Sequence, residues 1–263
     1  MTAERIGIFD SGLGGLTVLR SLIDLVPGAD VVYFGDTGRF PYGPKERDEV
    51  LKYAFEIGEL LVERGAELVV VACNSAAAAA LDELGARLPV PVVGVIEPGL
   101  RAAARATRNG RVGVIGTVGT IASGTYQREA RRLELRLELT CAACPGFVEF
   151  VEAGDVESDQ VHVLAERLLE PVRAAGVDTV ILGCTHYPLL ARTIGDVMGR
   201  EVVLVSSADE TAFAVRDLVA ASTVTRDTVG EHVFLTSGDV VTFRTLGARF
   251  LGPEVRRVEH HAW

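Results

Sequence analysis

Two short apolar runs in this chain each end in a cysteine, and that pairing constrains the fold more than any other feature. Leu68-Val69-Val70-Val71-Ala72 leads into Cys73-Asn74-Ser75, and Thr179-Val180-Ile181-Leu182-Gly183 leads into Cys184-Thr185-His186. Short branched runs without polar alternation read as strands covered on both faces, the pattern of a parallel sheet flanked by helices. Each cysteine falls where a strand gives way to a helix. The carboxyl ends of strands are where open α/β sheets bind ligands. Two thiols delivered there by separate halves predict one site approached from both sides.

The chain also repeats itself. Arg5-Ile6-Gly7-Ile8-Phe9 resembles Arg111-Val112-Gly113-Val114-Ile115, 106 residues later, and the two cysteines lie 111 residues apart. Such a period is far too long for a solenoid. It predicts an α/β protein of two similar parallel-sheet domains, related by a pseudo-twofold and facing each other across a cleft. Strands are expected at 6–9, 31–34, 68–72, 92–96, 112–115, 180–182, 202–205 and 233–235. Helices are expected at 16–25, 46–64, 76–88, 99–108, 160–175, 189–198 and 210–221. Pro98 and the turn at Ser206-Ser207 mark the crossovers. The first domain is then 1–97 plus 207–263, carrying Asp10 and Cys73, and the second is 98–206, carrying Cys184.

A chain of 263 residues suits one large or two small domains. Its net charge of −10 argues against nucleic-acid binding, which needs a basic face. Arg128, Arg131, Arg132 and Arg136 are interleaved with glutamates and read as a solvated helix face. The sequence runs into a strand by residue 5, which leaves no room for a secretory leader. No apolar stretch reaches the roughly 20 residues of a membrane span. A cytoplasmic protein with four reduced thiols is expected.

Asp10-Ser11-Gly12-Leu13-Gly14-Gly15 follows the first strand and opens a helix. It fails the dinucleotide pattern G-x-G-x-x-G, because Thr17 stands at the third glycine. Two readings stay open there, a carboxylate or phosphate cradle and a plain glycine turn with an aspartate cap. The loop from Asp36 to Pro44, with Tyr42-Gly43, borders the same strand-end surface. A cysteine at a helix N-terminus has its pKa lowered by the helix dipole, which favours Cys73 and Cys184 as acid–base groups. Cys141-Ala142-Ala143-Cys144 reads as an apolar pair near a strand end. The rival is a zinc site completed by Cys73 and Cys184. His186 is placed to tune or relay a proton at Cys184. Nothing in the residues alone selects Glu152 over Glu149.

Taken together, Asp10-Ser11-Gly12, Asp36-Thr37, Pro41-Tyr42-Gly43, Cys73-Asn74-Ser75 and Gly183-Cys184-Thr185-His186-Tyr187-Pro188 resemble the glutamate racemases of the aspartate/glutamate racemase family. Ile96-Glu97-Pro98-Gly99, Gly116-Thr117, Gly119-Thr120 and Cys144-Pro145 fit as well. The resemblance runs in order from about residue 5 to residue 220. Ser75 is a mild departure, since many members carry threonine, but the hydroxyl is kept. The resemblance implies interconversion of L- and D-glutamate without a cofactor or metal, supplying D-glutamate for peptidoglycan. It implies Cys73 and Cys184 as the catalytic pair. Asp10, Ser11, Tyr42, Gly43, Asn74, Ser75, Thr185 and His186 become substrate contacts. Asp10 is implied to assist Cys73, with His186 and Glu152 assisting on the Cys184 side. Glutamate is the expected partner, with no membrane or nucleic acid, and a homodimer is the expected assembly. The related aspartate racemases usually carry glutamate where His186 stands.

Overall fold

The runs that precede the two cysteines are strands β3 (Leu68–Val71) and β7 (Thr179–Gly183), buried at every residue. Burying one such valine or leucine is worth about 1.5–3 kcal/mol, so these runs anchor the core. The computed structural model, which describes residues 5–220 and 230–263, places them in two separate sheets whose strands all run parallel. The first has the order β10-β9-β2-β1-β3-β4, built from β1 (Arg5–Asp10), β2 (Asp30–Gly35), β3, β4 (Val92–Gly94), β9 (His232–Thr236) and β10 (Val258–His260). The second has the order β6-β5-β7-β8, from β5 (Arg111–Gly116), β6 (Glu138–Ala143), β7 and β8 (Val203–Ser206).

The spatial order β2-β1-β3-β4 is repeated as β6-β5-β7-β8. The halves agree down to single hydrogen bonds. Asp36 N donates to Asp10 O at 3.0 Å just past β2, and Cys144 N donates to Gly116 O at 2.8 Å just past β6. The repeated sequence also has a packing cause. A Cβ on Gly7 would lie 3.0 Å from Leu61 and Ala66, and one on Gly113 would strike Val172. Glycine at both places lets a helix close onto the central strand, α2 (Arg47–Glu63) in one half and α8 (Asp159–Ala174) in the other.

Helices α1 (Leu16–Leu25), α2 and α3 (Asn74–Arg87) belong to the first sheet, while α8 and α9 (Ala191–Met198) pack in the second core cluster. The chain leaves the first sheet after β4 through α4 (Ile96–Ala106), which packs on β7 and β8. It returns after β8 through α10 (Ser207–Ala220), which packs on α1 and α4. Helix α4 starts at Ile96, before the expected position 99, because Pro98 falls in its first turn, where a missing N–H costs nothing. The strand expected to reach 96 stops at Gly94 for the same reason. The last residue of the expected helix 210–221 lies outside the described residues.

Several elements were not expected from the sequence: α5 (Val118–Ala122), α7 (Phe147–Ala153), α11 (Val240–Leu251), β6 and β10, whereas α6 (Thr125–Arg132) falls where the arginines read as a helix face. Neither strand carries a continuous buried apolar run, in contrast to β3 and β7. Arg128, Arg131 and Arg132 do form an exposed helix face on α6, while Arg136 lies beyond its end. Among the described residues no helix is long and apolar enough to cross a membrane.

Candidate active site

In a 2-1-3-4 strand order the winding reverses between the first and third strands, which opens a crevice at their carboxyl ends. Asp10 ends β1 and Cys73 follows β3; Gly116 ends β5 and Cys184 follows β7. The two crevices share one cavity of about 100 Å³, lined by both thiols. Cys73 is 5 % exposed and Cys184 7 %. Ser11, Tyr42, Gly43, Asn74, Ser75, Thr185 and His186 line the same cavity. Asp10 and Glu152 stand one residue behind its wall, Asp10 bonded to Thr185 and Glu152 to His186.

The local structures around the thiols differ. Cys73 caps α3 directly. Cys184 is followed by the turn Thr185-His186 and a 3-10 helix over Tyr187–Leu190, and α9 begins only at Ala191. The bonds Tyr187 N to Cys184 O and Leu189 N to His186 O, both 3.1 Å, are the three-residue steps of that tighter helix. The expected strand-to-α-helix junction therefore holds for Cys73 and not for Cys184.

The electrostatics are also unequal. Burial pushes the Cys73 thiol up to about 12, and the charge of Asp10 adds to this against weaker hydrogen bonds from Ser11 and the Ala76 amide. The lowering expected from the N-terminus of α3 is thus outweighed by desolvation. Cys73 Sγ lies 3.5 Å from Ser11 Oγ. On the other side, His186 is fully enclosed. Burial would lower its pKa, but hydrogen bonds to Cys184 and Glu152 and the nearby charges of Cys184 and Asp10 carry it up to about 10. Its Nε2 lies 2.7 Å from Glu152 Oε1 and its Nδ1 3.9 Å from Cys184 Sγ. At neutral pH this is an imidazolium held between a carboxylate and a sulfur. Asp10 accepts from Gly12 N at 2.9 Å and from Thr185 Oγ1 at 3.1 Å. Burial raises its pKa, opposed by the His186 charge and these bonds. Asp10 thus caps its own glycine turn through Gly12 N, and through Thr185 it also ties the Cys73 half to the Cys184 half.

Polar groups join the halves elsewhere too. Asn74 Oδ1 accepts from Tyr126 Oη at 2.8 Å, which leaves its NH2 to face the cavity. Ser75 Oγ lies 2.9 Å from Thr117 Oγ1 and 3.3 Å from Thr120 Oγ1, and Gly119 N donates to Gly43 O at 2.9 Å. Tyr42 Oη donates to the buried Asp36, so Tyr42 shows its ring and backbone to the cavity. Gly14 permits the contact between halves: a Cβ there would lie 2.5 Å from His186 Nδ1 and would strike Thr185. Asp36 and Thr117 stood in motifs quoted from the sequence without a role of their own, and Tyr126 was not singled out. Asp36 had a signal, since Gly35-Asp36-Thr37 ends β2 as Asp10-Ser11-Gly12 ends β1. Tyr126 had none, because α6 is polar overall.

Cys144 lines the cavity, whereas Cys141 is half-buried on β6 and accepts from Gln127 Nε2 at 3.2 Å. Among the described residues no group of three or more His, Cys, Asp or Glu side chains is placed to hold a metal ion. The four-cysteine zinc site does not form.

Two like α/β halves that bring Cys73 and Cys184 to one cavity define a class, and the comparisons agree with it. The chain belongs to the aspartate/glutamate racemase family: the family model for Asp/Glu/hydantoin racemases matches residues 6–215. Its relatives are glutamate racemases. That of Geobacter metallireducens is 49 % identical over 254 residues, covering 96 % of this chain and 94 % of the relative. The crystal structure of glutamate racemase isoform RacE1 from Bacillus anthracis has a TM-score of 0.92 at 39 % identity, covering 100 % of this chain and 98 % of that one. That of glutamate racemase from Francisella tularensis, in complex with D-glutamate, has a TM-score of 0.92 at 30 % identity, with the same coverage. The protein is an isomerase, an amino-acid racemase grouped with these enzymes.

Proposed function

We propose that this enzyme interconverts L- and D-glutamate without a cofactor, by proton transfer between Cys73, the substrate α-carbon and Cys184. The observation that carries this reading is the delivery of both thiols to one cavity from equivalent strand ends of the two halves. Inversion of a carbon by proton transfer needs a base on one face and an acid on the other. The unequal surroundings supply that pair. Cys73, with its raised pKa, is a thiol at neutral pH and serves as the acid. Cys184 has an imidazolium at its side and serves as the base. In this direction Cys184 takes the α-proton of L-glutamate and Cys73 delivers a proton to the opposite face, giving D-glutamate. The reverse reaction starts from the complementary protonation state, with Asp10 taking the proton of Cys73.

The α-proton is weakly acidic, so charge building on the α-carboxylate must be met by donors already in place. The NH2 of Asn74 and the hydroxyl of Ser75 are the donors we assign; Thr185 donates its own hydroxyl to Asp10 and borders the carboxylate, with Ser11, Tyr42 and Gly43 holding the rest of the substrate. His186 and Glu152 form the relay behind Cys184. We take residues 1–97 plus 207–263 and residues 98–206 as the two domains. The D-glutamate serves peptidoglycan synthesis in this reading, and the enzyme works in the cytoplasm as a homodimer. Its four free cysteines suit a reducing compartment. The test is to incubate pure protein with L-glutamate alone. Optical rotation should decay to zero, with α-deuterium appearing in heavy water. Undiminished rotation at high enzyme concentration would overturn the assignment.

A further inference from the structure

Behind the 40–44 segment of the cavity wall lies a polar and aromatic assembly that no step of the proton transfer uses. Its centre is Asp36, which is completely buried. One oxygen accepts from Arg39 Nε at 2.7 Å and from Tyr42 Oη. The other accepts from Ser237 Oγ at 2.6 Å and from Trp263 Nε1 at 3.4 Å. A buried carboxylate is tolerated only when paired and fully hydrogen-bonded, so the cation of Arg39 is essential to it.

Arg39 itself is held in an unusual way. Its Nη1 reaches Glu56, but its Nη2 is buried without a hydrogen-bond partner. Two aromatic rings enclose the guanidinium instead, Tyr53 at 4.0 Å and Trp263 at 4.1 Å from its central carbon. A guanidinium over a ring face is attracted by the ring's quadrupole, more strongly where water is excluded. Trp263 is in turn fixed by a tilted contact with Phe34 and an edge contact with His261, at 5.3 and 4.6 Å between ring centroids.

We propose that Trp263 is a positioning residue for the substrate cavity: by closing one face of Arg39 it holds Asp36, and through Asp36 it fixes Tyr42 and the 40–44 wall. The segment needs such a support. Phe40, Pro41, Tyr42, Gly43 and Pro44 all line the cavity, and Gly43 O also carries the bond to Gly119 of the other half. Without the indole, water reaches the unpartnered Nη2, the guanidinium turns toward it, and the wall loses its reference point. The inference rests on the reading that this cavity takes glutamate.

The experiment compares the unaltered enzyme with Trp263→Ala and Trp263→Phe. Trp263 is 48 % exposed, so its truncation leaves the core intact. Losing one cation–π face is expected to raise KM for glutamate about five-fold, equivalent to about 1 kcal/mol, with little change in kcat. Trp263→Phe keeps a ring over Arg39 and should restore KM to near the original value. Trp263 is also the single tryptophan of the chain. In a Cys73→Ser, Cys184→Ser double variant, which cannot turn glutamate over, adding the amino acid should shift its emission. An unchanged KM in Trp263→Ala, a Trp263→Phe as impaired as the alanine variant, or a silent indole would each overturn the proposal. Failure of the unaltered protein to racemise glutamate would instead remove the functional reading beneath it.

Discussion

Glu152 does not touch the cavity, which makes it a sharp test of the relay behind Cys184. Its Oε1 lies 2.7 Å from Nε2 of His186, a side chain 2 % exposed against 23 % for Glu152. Glu152→Gln leaves an oxygen in place and removes the charge. A charge-assisted hydrogen bond is worth about 1–2 kcal/mol more than a neutral one. At 1.36 kcal/mol per unit, the His186 value of about 10 should fall by about one unit. The sign follows from its being raised above 6.5 in the fold: the imidazolium and its share of stability are present at low pH and are lost as pH rises through about 10. The alkaline limit of proton transfer through Cys184 should therefore move to lower pH, and its rate near neutrality should fall by up to about tenfold. Racemisation kinetics cannot resolve this by direction. L- and D-glutamate have equal free energies in water, so kcat/KM is the same both ways in every variant. Elimination from a glutamate carrying chloride on its β-carbon does resolve it. The base removes the α-proton, chloride departs, and the enamine hydrolyses to 2-oxoglutarate and ammonium. On the L-analogue in a Cys73→Ser background only Cys184 acts. On the D-analogue in a Cys184→Ser background only Cys73 acts. Glu152→Gln should slow the first and leave the second almost unchanged. Equal slowing of both, or an alkaline limit that stays in place, would refute the relay.

The same assay tests the pair of bases: Cys73→Ser and Cys184→Ser should each abolish racemisation yet retain elimination from opposite enantiomers, and a shared preference would mean that the thiols do not oppose each other. Asp10→Asn removes a charge that raises the Cys73 pKa, so the pH at which Cys73 becomes alkylatable should fall below its present value of about 12. In that variant elimination from the D-analogue should suffer more than from the L-analogue, and equal loss would detach Asp10 from Cys73. Gly14→Ala places a methyl 2.5 Å from His186 Nδ1 and should cost about 1–3 kcal/mol of stability in a thermal melt. Its racemisation should fall further than the melt alone accounts for, whereas full activity would show that the halves can part there freely.

The central strands and the thiols were legible because burial on both faces writes an unbroken apolar run. Of the sheet edges, β4 and β8 were legible and β6 and β10 were not. β6 mixes exposed and half-buried residues, so Glu138-Leu139-Thr140-Cys141 shows no apolar run, and only the cysteine pair hinted at a nearby strand end. Strand-end position pointed to the thiols and the loops beside them, while the set of cavity residues came from the family resemblance. What spacing does not record is the contact made across the cleft: Tyr126 on Asn74, Thr117 on Ser75, Thr185 on Asp10. The polarity of Cys73 was misjudged for a related reason. A helix N-terminus can be read locally, while the desolvation that overrides it belongs to the assembled pair of halves. The residues alone did not separate Glu152 from Glu149, and the resemblance did; the direction of α7 gives the physical reason, turning Glu152 to His186 and leaving Glu149 on the cavity lining.

The repeated strand order has a consequence for how handedness is managed. A two-fold rotation lying in the plane of a trigonal carbon exchanges the carbon's two faces, and it also exchanges two of the three substituents. Strictly matching halves could present a thiol to each face, but they would treat the carboxylate and the side chain alike. These halves match in backbone and differ in what they display: Asp10 stands where the other half has Gly116, and Asp36 where it has Cys144. Copying the scaffold brings a thiol to the cavity from each half, and in the proposed reaction the two meet opposite faces of the substrate. In the proposed reaction, divergence at the ends of the first and second strands, passed to the cavity wall through Thr185 and Tyr42, gives the cavity a head and a tail, so that a substrate lies one way round while either face of the same carbon is within reach.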